Sequence, residues 1–231
     1  MKPHHKLAET KTPDGIPLTL EEHDGSFCIR INGLALMHSR ATASELHLGD
    51  LAGDLLATRP AARILIGGLG LGFTLQRVLE RAGPQARVDV AELIPAVVQW
   101  NQTFLLTLNG SLLADPRVAV RVGDVQEIIL RAGRKSGDGE RYDVILIDID
   151  NGPKDMVQKT NAGLYGRRGI ESMSAALHPG GRLAIWSAGD DRAFADRLAR
   201  AGLKVEIVRA QPHAGSRSRT YAIFVADRSP A

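Results

Sequence analysis

The sequence predicts an α/β fold with a Rossmann-like, doubly wound sheet of seven strands behind a short N-terminal β-meander. From Arg63 onward, short apolar runs alternate with amphipathic stretches, which is the pattern of βα units in a parallel sheet. A glycine-rich segment follows the first of these runs, and acidic residues follow the next three. With 231 residues, 44% of them hydrophobic, the chain is long enough to bury one sizeable core.

The elements of this sheet can be placed from apolar periodicity. Strands are predicted at 64–66, 88–91, 118–122, 142–147, 183–186, 205–208 and 221–225. Helices are predicted at 73–81, 95–106, 125–132, 165–177 and 192–201, where apolar residues recur at helical spacing. The last two strands are joined by a polar segment without helical period, so we expect a long hairpin and an antiparallel last strand.

The N-terminal part predicts a small β-meander followed by a helix. Three β-capable runs at 17–22, 26–31 and 34–37 are separated by Asp24-Gly25 and Asn32-Gly33, and such pairs are strong hairpin signals. A helix is predicted at 45–56, and the polar first residues are interpreted as a flexible tail. The predicted organisation is therefore a tail at 1–12, a meander and helix at 13–58, and a Rossmann-like domain at 59–231.

The composition excludes several classes of function. No apolar run approaches the roughly eighteen residues of a membrane helix, so we expect no membrane span. Cys28 is the single cysteine, which excludes an internal disulfide and a multi-cysteine metal site and favours the cytoplasm. The net charge is +3, but aromatic residues make up 4% of the chain and do not interleave with basic ones. We therefore expect neither a metal centre nor a nucleic-acid partner.

The glycine-rich segment is the main indication of a ligand. The strand at 64–66 continues into Gly67-Gly68-Leu69-Gly70-Leu71-Gly72, and glycines at a strand-to-helix turn let the backbone approach a ligand. A dinucleotide fingerprint needs a third glycine three residues after the second, where this chain has Phe73. Gly68, Gly70 and Gly72 instead fit the tighter loop that binds adenosyl ligands. A plain tight turn is the alternative interpretation.

Two acidic residues at the next strand ends favour a nucleoside. Glu92 follows twenty residues after Gly72, where a carboxylate can accept both hydroxyls of a ribose. Asp124 ends the third strand, at the position expected for an adenine amino group. Each has a structural alternative, because Glu92 can serve as an acid at a helix N-terminus and Asp124 as a helix N-cap.

Asp148 and Asp150 follow the fourth strand, where open α/β sheets carry out their chemistry. A carboxylate there can hold or deprotonate a cationic amine. The alternative is that one of the two acids belongs to a turn network and the other is exposed.

The segment from about 33 to 181 resembles the spermidine synthase family, the polyamine aminopropyltransferases. The motifs that carry the resemblance are the meander, Ile66-Gly67-Gly68, Glu92, Gly123-Asp124, Tyr142-Asp143-Val144, Asp148, Asp150 and Gly152-Pro153. The resemblance implies a class I methyltransferase sheet, a homodimer, S-adenosylmethionine or its decarboxylated form as co-substrate, and a small-molecule amine as acceptor. It assigns Glu92 to the ribose, Asp124 to the adenine, and Asp150 or Asp148 to the amine, with Asp150 preferred.

The chain departs from the family pattern at two places. Gly70 stands where the family has an Asp that grips the aminopropyl amine, and the loop from Asp148 to Pro153 is shorter than the family's acidic loop. We therefore predict a spermidine-synthase-like transferase, with two alternatives. One is an S-adenosylmethionine-dependent methyltransferase acting on a small molecule, and the other is a non-catalytic nucleoside-binding protein.

Overall fold

The computed structural model describes residues 4–134, 140–149, 162–211 and 221–230. Within these ranges seven strands form the central sheet: β5 (Arg63–Gly67), β6 (Arg87–Glu92), β7 (Val118–Val122), β8 (Tyr142–Ile147), β9 (Leu177–Ser187), β10 (Leu203–Ala210) and β11 (Tyr221–Arg228). Their order is β10-β11-β9-β8-β5-β6-β7. Strand β11 runs antiparallel to both of its neighbours, whereas β5 to β9 pair in parallel. The predicted seven-stranded sheet with an antiparallel last strand is confirmed.

The helices follow the predicted order, but three predicted helices are each split in two. The observed helices are α1 (Ala43–Asp50), α2 (Gly53–Thr58), α3 (Phe73–Arg81), α4 (Pro95–Gln102), α5 (Leu106–Asn109), α6 (Val125–Arg134), α7 (Ala162–Tyr165), α8 (Arg167–Ala176) and α9 (Arg192–Arg200). The Thr103 hydroxyl donates to the Gln99 carbonyl at 2.8 Å where α4 ends. Gly166 adopts an extended backbone between α7 and α8. No helix in the described ranges is long and apolar enough to cross a bilayer.

Helices cover both faces of the central sheet, which explains its continuous apolar strands. Residues Val144 to Ile147 of β8 are all fully buried because each face has a helical layer. Buried side chains of α1 to α4 pack on one face, and those of α6 to α9 pack on the other. The carboxyl ends of the parallel strands stay free of this packing and meet at one edge.

The N-terminal sheet has four antiparallel strands, one more than predicted. They are β1 (His5–Lys11), β2 (Pro17–His23), β3 (Ser26–Ile31) and β4 (Leu34–His38), in this order. The interpretation of 1–12 as a flexible tail is therefore wrong for residues 5–11. Strand β1 is held by backbone pairing along β2, and only Leu7 and Ala8 pack against the core, so its composition carries little strand signal.

The N-terminal sheet and the central sheet share one hydrophobic core. Leu18, Leu20 and Ile29 are almost fully buried, in the same cluster as Ile64 and Ile66 of β5. The meander therefore packs directly on one face of the central sheet and covers the edge where the parallel strands end.

Candidate active site

A cavity of about 150 Å³, called here the central cavity, lies at the carboxyl ends of β5, β6, β7 and β8. This edge is the usual ligand-binding edge of an open α/β sheet. The predicted site residues that line it are Gly68, Gly70, Glu92, Asp124 and Asp148. Apolar side chains of β2, β3 and β4 complete the lining, among them Leu18, Ile29 and Met37. The fold thus brings together predicted site residues that are up to 80 positions apart in the sequence.

Backbone conformation explains the glycines of the turn after β5. Gly68 has φ +93°, and a Cβ there would collide with the Asp148 carbonyl oxygen. Gly70 has φ +50°, and a Cβ there would collide with Sδ of Met37. Gly72 has φ +90° and precedes α3, but it does not line the central cavity. Two of the three predicted glycines therefore face the ligand space, and the third shapes the turn.

Two asparagines that the sequence analysis missed hold the glycine turn in place. Asn101 Nδ2 donates to the Gly70 carbonyl at 2.9 Å, and Asn109 Nδ2 donates to the Leu71 carbonyl at 2.9 Å. Asn109 also donates to Asn101 Oδ1 at 2.8 Å. Both side chains are buried. The signal for Asn101 was its position four residues after Val97, on the apolar face of the predicted helix, where a buried amide requires hydrogen-bond partners.

Glu92 is buried at the end of β6, with both carboxylate oxygens bound to the backbone. The Leu69 N–H donates to Oε2 and the Ile94 N–H donates to Oε1, each at 2.9 Å. Burial raises the pKa of Glu92, and the backbone N–H groups, with Ile94 and Leu69 foremost, act against that increase. A carboxylate has about four acceptor positions; the Leu69 and Ile94 bonds take one on each oxygen, and the N–H groups of Gly70 and Leu93 also act on it. Glu92 therefore holds together the glycine turn and the start of α4, and it also lines the central cavity.

Asp124 is a helix N-cap, one of the two interpretations that the sequence left open, and contact with an adenine stays a prediction. Its Oδ1 accepts from the Gln126 N–H at 2.8 Å, so the side chain does cap the start of α6. The residue is also exposed and lines the central cavity. Capping occupies one oxygen and leaves the other for a ligand.

Asp148 lies directly after β8, and its own N–H donates to the Gly67 carbonyl at 2.8 Å. Its Oδ2 accepts from the Thr74 hydroxyl at 2.9 Å. Burial raises the pKa of Asp148 to about 7; the negative charge of Glu45 adds to the increase, and the Thr74 hydroxyl opposes it. Asp150, the other predicted catalytic residue, lies outside the described residues.

Glu45 is a further acidic residue of the central cavity that the sequence analysis missed. It lies in α1, and burial raises its pKa, while a 2.6 Å hydrogen bond from the Ser44 hydroxyl opposes the increase. Its signal in the sequence was its position three residues before Leu48, on the predicted apolar face of the helix.

Every charged residue that lines the described part of the central cavity is acidic. These residues are Glu45, Glu92, Asp124 and Asp148, and no lysine, arginine or histidine is among them. A concave site lined by one sign of charge attracts ligands of the opposite sign. The cavity is therefore suited to cationic ligands.

The strand order, the glycine turn and the cavity at the carboxyl edge define a Rossmann-like protein with the class I methyltransferase sheet. Solved spermidine synthases share this fold. A spermidine synthase in complex with the transition-state analogue AdoDATO matches with a TM-score of 0.73 at 14% identity, over 98% of this chain and 73% of that one. The spermidine synthase from Thermotoga maritima gives 0.72 at 16% identity, over 98% and 74%. At these identities the likeness establishes the fold.

A sequence relative points to the same family. The polyamine aminopropyltransferase of Corynebacterium efficiens is 37% identical over 125 residues, which are 54% of this chain and 22% of that protein. The match thus takes in less than a quarter of the relative's length. No family model matches the chain. Together these relatives confirm the resemblance to the spermidine synthases that the motifs indicated.

Replacing Glu92 tests its contact with a nucleoside. We expect Glu92→Ala to weaken the binding of methylthioadenosine by about 1.5–3 kcal/mol, the range for hydrogen bonds to a charged group. Isothermal titration calorimetry measures the change. Asp89→Ala is the matched control, because Asp89 lies on the same strand and is equally buried at 7% exposure, but is outside the central cavity. Equal affinity in parent and Glu92→Ala would contradict a ligand-binding role.

The raised pKa of Asp148 predicts a pH-dependent stability. Between pH 4 and 7 the unfolded state has lost this proton while the folded state retains it, so the parent loses stability as the pH rises. Asp148→Asn does not titrate. Its free energy of unfolding should therefore rise relative to that of the parent as the pH increases from 4 to 8, by at least about 1 kcal/mol. Urea unfolding at pH 4, 6 and 8 measures it.

Asp115→Asn serves as a control, because the pKa of Asp115 is shifted in the opposite direction from that of Asp148. The Arg117 guanidinium donates to Asp115 and holds the pKa of that carboxyl below its usual value. This variant should be less stable than the parent at pH 6 and 8, and additional unfolding curves below pH 4 should show the difference vanishing as the pH falls through the lowered pKa. A constant difference between Asp148→Asn and the parent from pH 4 to 8 would refute the shifted titration.

Proposed function

We propose that this protein is a spermidine-synthase-like transferase that moves the aminopropyl group of decarboxylated S-adenosylmethionine to a small amine. The observation that carries the proposal is the acidic lining of the central cavity. The donor bears a sulfonium and an ammonium, the acceptor is an amine, and neither bears a carboxylate. Both ligands therefore match a site without basic side chains. The names of the relatives support the same chemistry.

The nucleoside half of the donor fits the strand ends of β6 and β7. Glu92 offers each of its oxygens to one ribose hydroxyl, and Asp124 offers its second oxygen to the adenine amino group. Gly68 and Gly70 let the backbone approach the ligand without an intervening side chain. The apolar side chains of β2, β3 and β4 exclude water from the donor.

The transfer requires a neutral amine nitrogen. Its lone pair attacks the carbon next to the sulfonium, the carbon–sulfur bond breaks, and methylthioadenosine leaves with the electron pair. The proton that the nitrogen sheds goes to a carboxylate. Asp148, whose pKa is raised to about 7, is suited to accept it near neutral pH, and Asp150 is the alternative from the sequence.

Methyl transfer from S-adenosylmethionine is the second candidate, and Gly70 favours it. The turn offers no carboxylate at this position, and Met37 occupies the space over the glycine. The acidic lining favours the decarboxylated donor, because four carboxylates repel the carboxylate of the parent compound. The homodimer and the cytoplasmic location remain predictions.

Calorimetry with three ligands tests the proposal. We expect decarboxylated S-adenosylmethionine to bind at least tenfold more tightly than S-adenosylmethionine, with methylthioadenosine also binding. Glu22→Gln, outside the central cavity, should preserve this order. Tighter binding of S-adenosylmethionine would favour the methyltransferase. Binding of all three without transfer to any amine would favour the non-catalytic alternative.

The acid that takes the proton is identified by separate variants. If Asp148 accepts the proton, Asp148→Asn should lower the single-turnover rate roughly a hundredfold and leave the affinity for methylthioadenosine within twofold. Asp150→Asn should show that effect instead if the later acid performs the step. Full turnover in both variants would rule out a carboxylate mechanism, and loss of nucleoside binding in both would place the pair in the donor site.

A further inference from the structure

Glu45 approaches Asp148 from a different part of the fold. Glu45 lies in α1, before the first strand of the central sheet, whereas Asp148 follows β8. Both line the central cavity, and the negative charge of Glu45 acts on Asp148. The Thr74 hydroxyl in α3 donates to Asp148 Oδ2 at 2.9 Å and is 3.4 Å from the backbone carbonyl oxygen of Glu45, so it connects the backbone of α1 to Asp148. Three separate elements therefore converge at this end of the cavity.

Within the described residues neither carboxylate has a cationic partner. The only side-chain donors to them are the hydroxyls of Ser44 and Thr74, and no basic residue lines the central cavity. The arginines of the neighbouring helix α3, Arg77 and Arg81, both pair with Asp50 instead. Two adjacent, largely buried carboxylates without a cation are costly, and a proton or a cationic ligand relieves that cost.

We propose that Glu45 is an amine-binding residue that forms, together with Asp148, a two-carboxylate subsite for the cationic amine of the acceptor. This inference rests on the proposed function and adds to it the residue that binds the acceptor. Asp148 takes the proton of the attacking nitrogen, and Glu45 supplies the second negative charge that draws the ammonium to it.

The chemistry of the donor set favours an ammonium over a metal ion. A primary ammonium has three N–H donors, and the two carboxylates accept two of them. Calcium and magnesium require about six to eight oxygen ligands in a surrounding shell. Among the described residues no group of three or more metal-ligating side chains is present.

The position of Glu45 and Asp148 also indicates that the amine they bind belongs to the acceptor and not to the donor. In the proposed binding mode the donor's tail passes Gly70, and there Met37 rather than a carboxylate faces the ligand space. Glu45 instead lines the cavity together with Asp148, and its negative charge acts on Asp148, while the Thr74 hydroxyl that donates to Asp148 lies 3.4 Å from the backbone carbonyl oxygen of Glu45. Because Asp148 is next to the reacting nitrogen in the proposed transfer, the pair lies at the reacting end.

Glu45→Gln tests the inference because it removes the charge and keeps the size of the side chain. The protein is saturated with methylthioadenosine and titrated with propylamine, 1,3-diaminopropane and 1,4-diaminobutane. The parent should bind at least one of these amines, and Glu45→Gln should bind it at least tenfold more weakly. Affinity for methylthioadenosine should stay within twofold. Glu80→Gln, an exposed glutamate of α3 outside the cavity, should behave as the parent.

A neutral probe separates charge recognition from structural damage. The parent should prefer 1,4-diaminobutane over 1,4-butanediol, and Glu45→Gln should lose that preference. Glu45→Asp, which restores the charge one methylene shorter, should recover part of it. If Glu45→Gln does not fold, the inference is tested with Glu45→Asp. This variant should prefer 1,4-diaminobutane over 1,4-butanediol less strongly than the parent does.

The failures of the inference and of the proposed function are distinguishable. A parent that binds none of the amines, or a Glu45→Gln variant that binds them as tightly as the parent, overturns the inference. Equal weakening of the amine and of methylthioadenosine also overturns it, because Glu45 would then be structural. Amine binding that depends on Glu45 without any transfer would leave the subsite intact and refute the transferase.

Discussion

The carboxyl ends of β5 and β8 approach each other so closely that position 68 has no space for a side chain. The Asp148 carbonyl oxygen occupies the place of a Cβ at Gly68, and the Asp148 N–H donates to Gly67. This contact fixes the direction in which the chain leaves β5. The rest of the site depends on that direction, because the glycine turn, the start of α3 and the position of Asp148 all follow from it. Asn101, Asn109 and Glu92 then bind the turn through its carbonyl and N–H groups.

The glycine turn contributes only backbone atoms to the cavity, so the acidic side chains determine its electrostatics. Burial raises the pKa of Glu92 as well, but backbone N–H groups, those of Leu69 and Ile94 among them, donate to its carboxylate and oppose the increase. Burial also raises the pKa values of Glu45 and Asp148, and within the described residues the side-chain donors to these two carboxylates are hydroxyl groups. The cavity therefore contains one carboxylate suited to hold a neutral, hydroxylated group and a pair suited to a cation or a proton. This division agrees with the proposed ligands, which place a ribose at one end and a reacting amine at the other.

The N-terminal sheet completes the cavity by packing into the core of the central sheet. Leu18 and Ile29 belong to the core cluster that includes Ile64 and also line the cavity. Met37 reaches over Gly70 from β4. Because the same side chains stabilise the fold and line the ligand space, mutations in the meander should change ligand specificity and stability together.

The sequence by itself determined the central sheet and the residues at the ends of its strands. Long apolar runs such as Val144 to Ile147 form strands in any βα fold, and parallel strands place Glu92, Asp124 and Asp148 at one edge. Strand β1 escaped prediction because backbone pairing with β2 holds it. Glu45 and Asn101 escaped because their roles arise from helices packing on distant strands. Only the tertiary structure decided the pairing of β1 and the roles of Glu45 and Asn101. Sequence periodicity reports which face of an element is buried, but not which residues that face contacts.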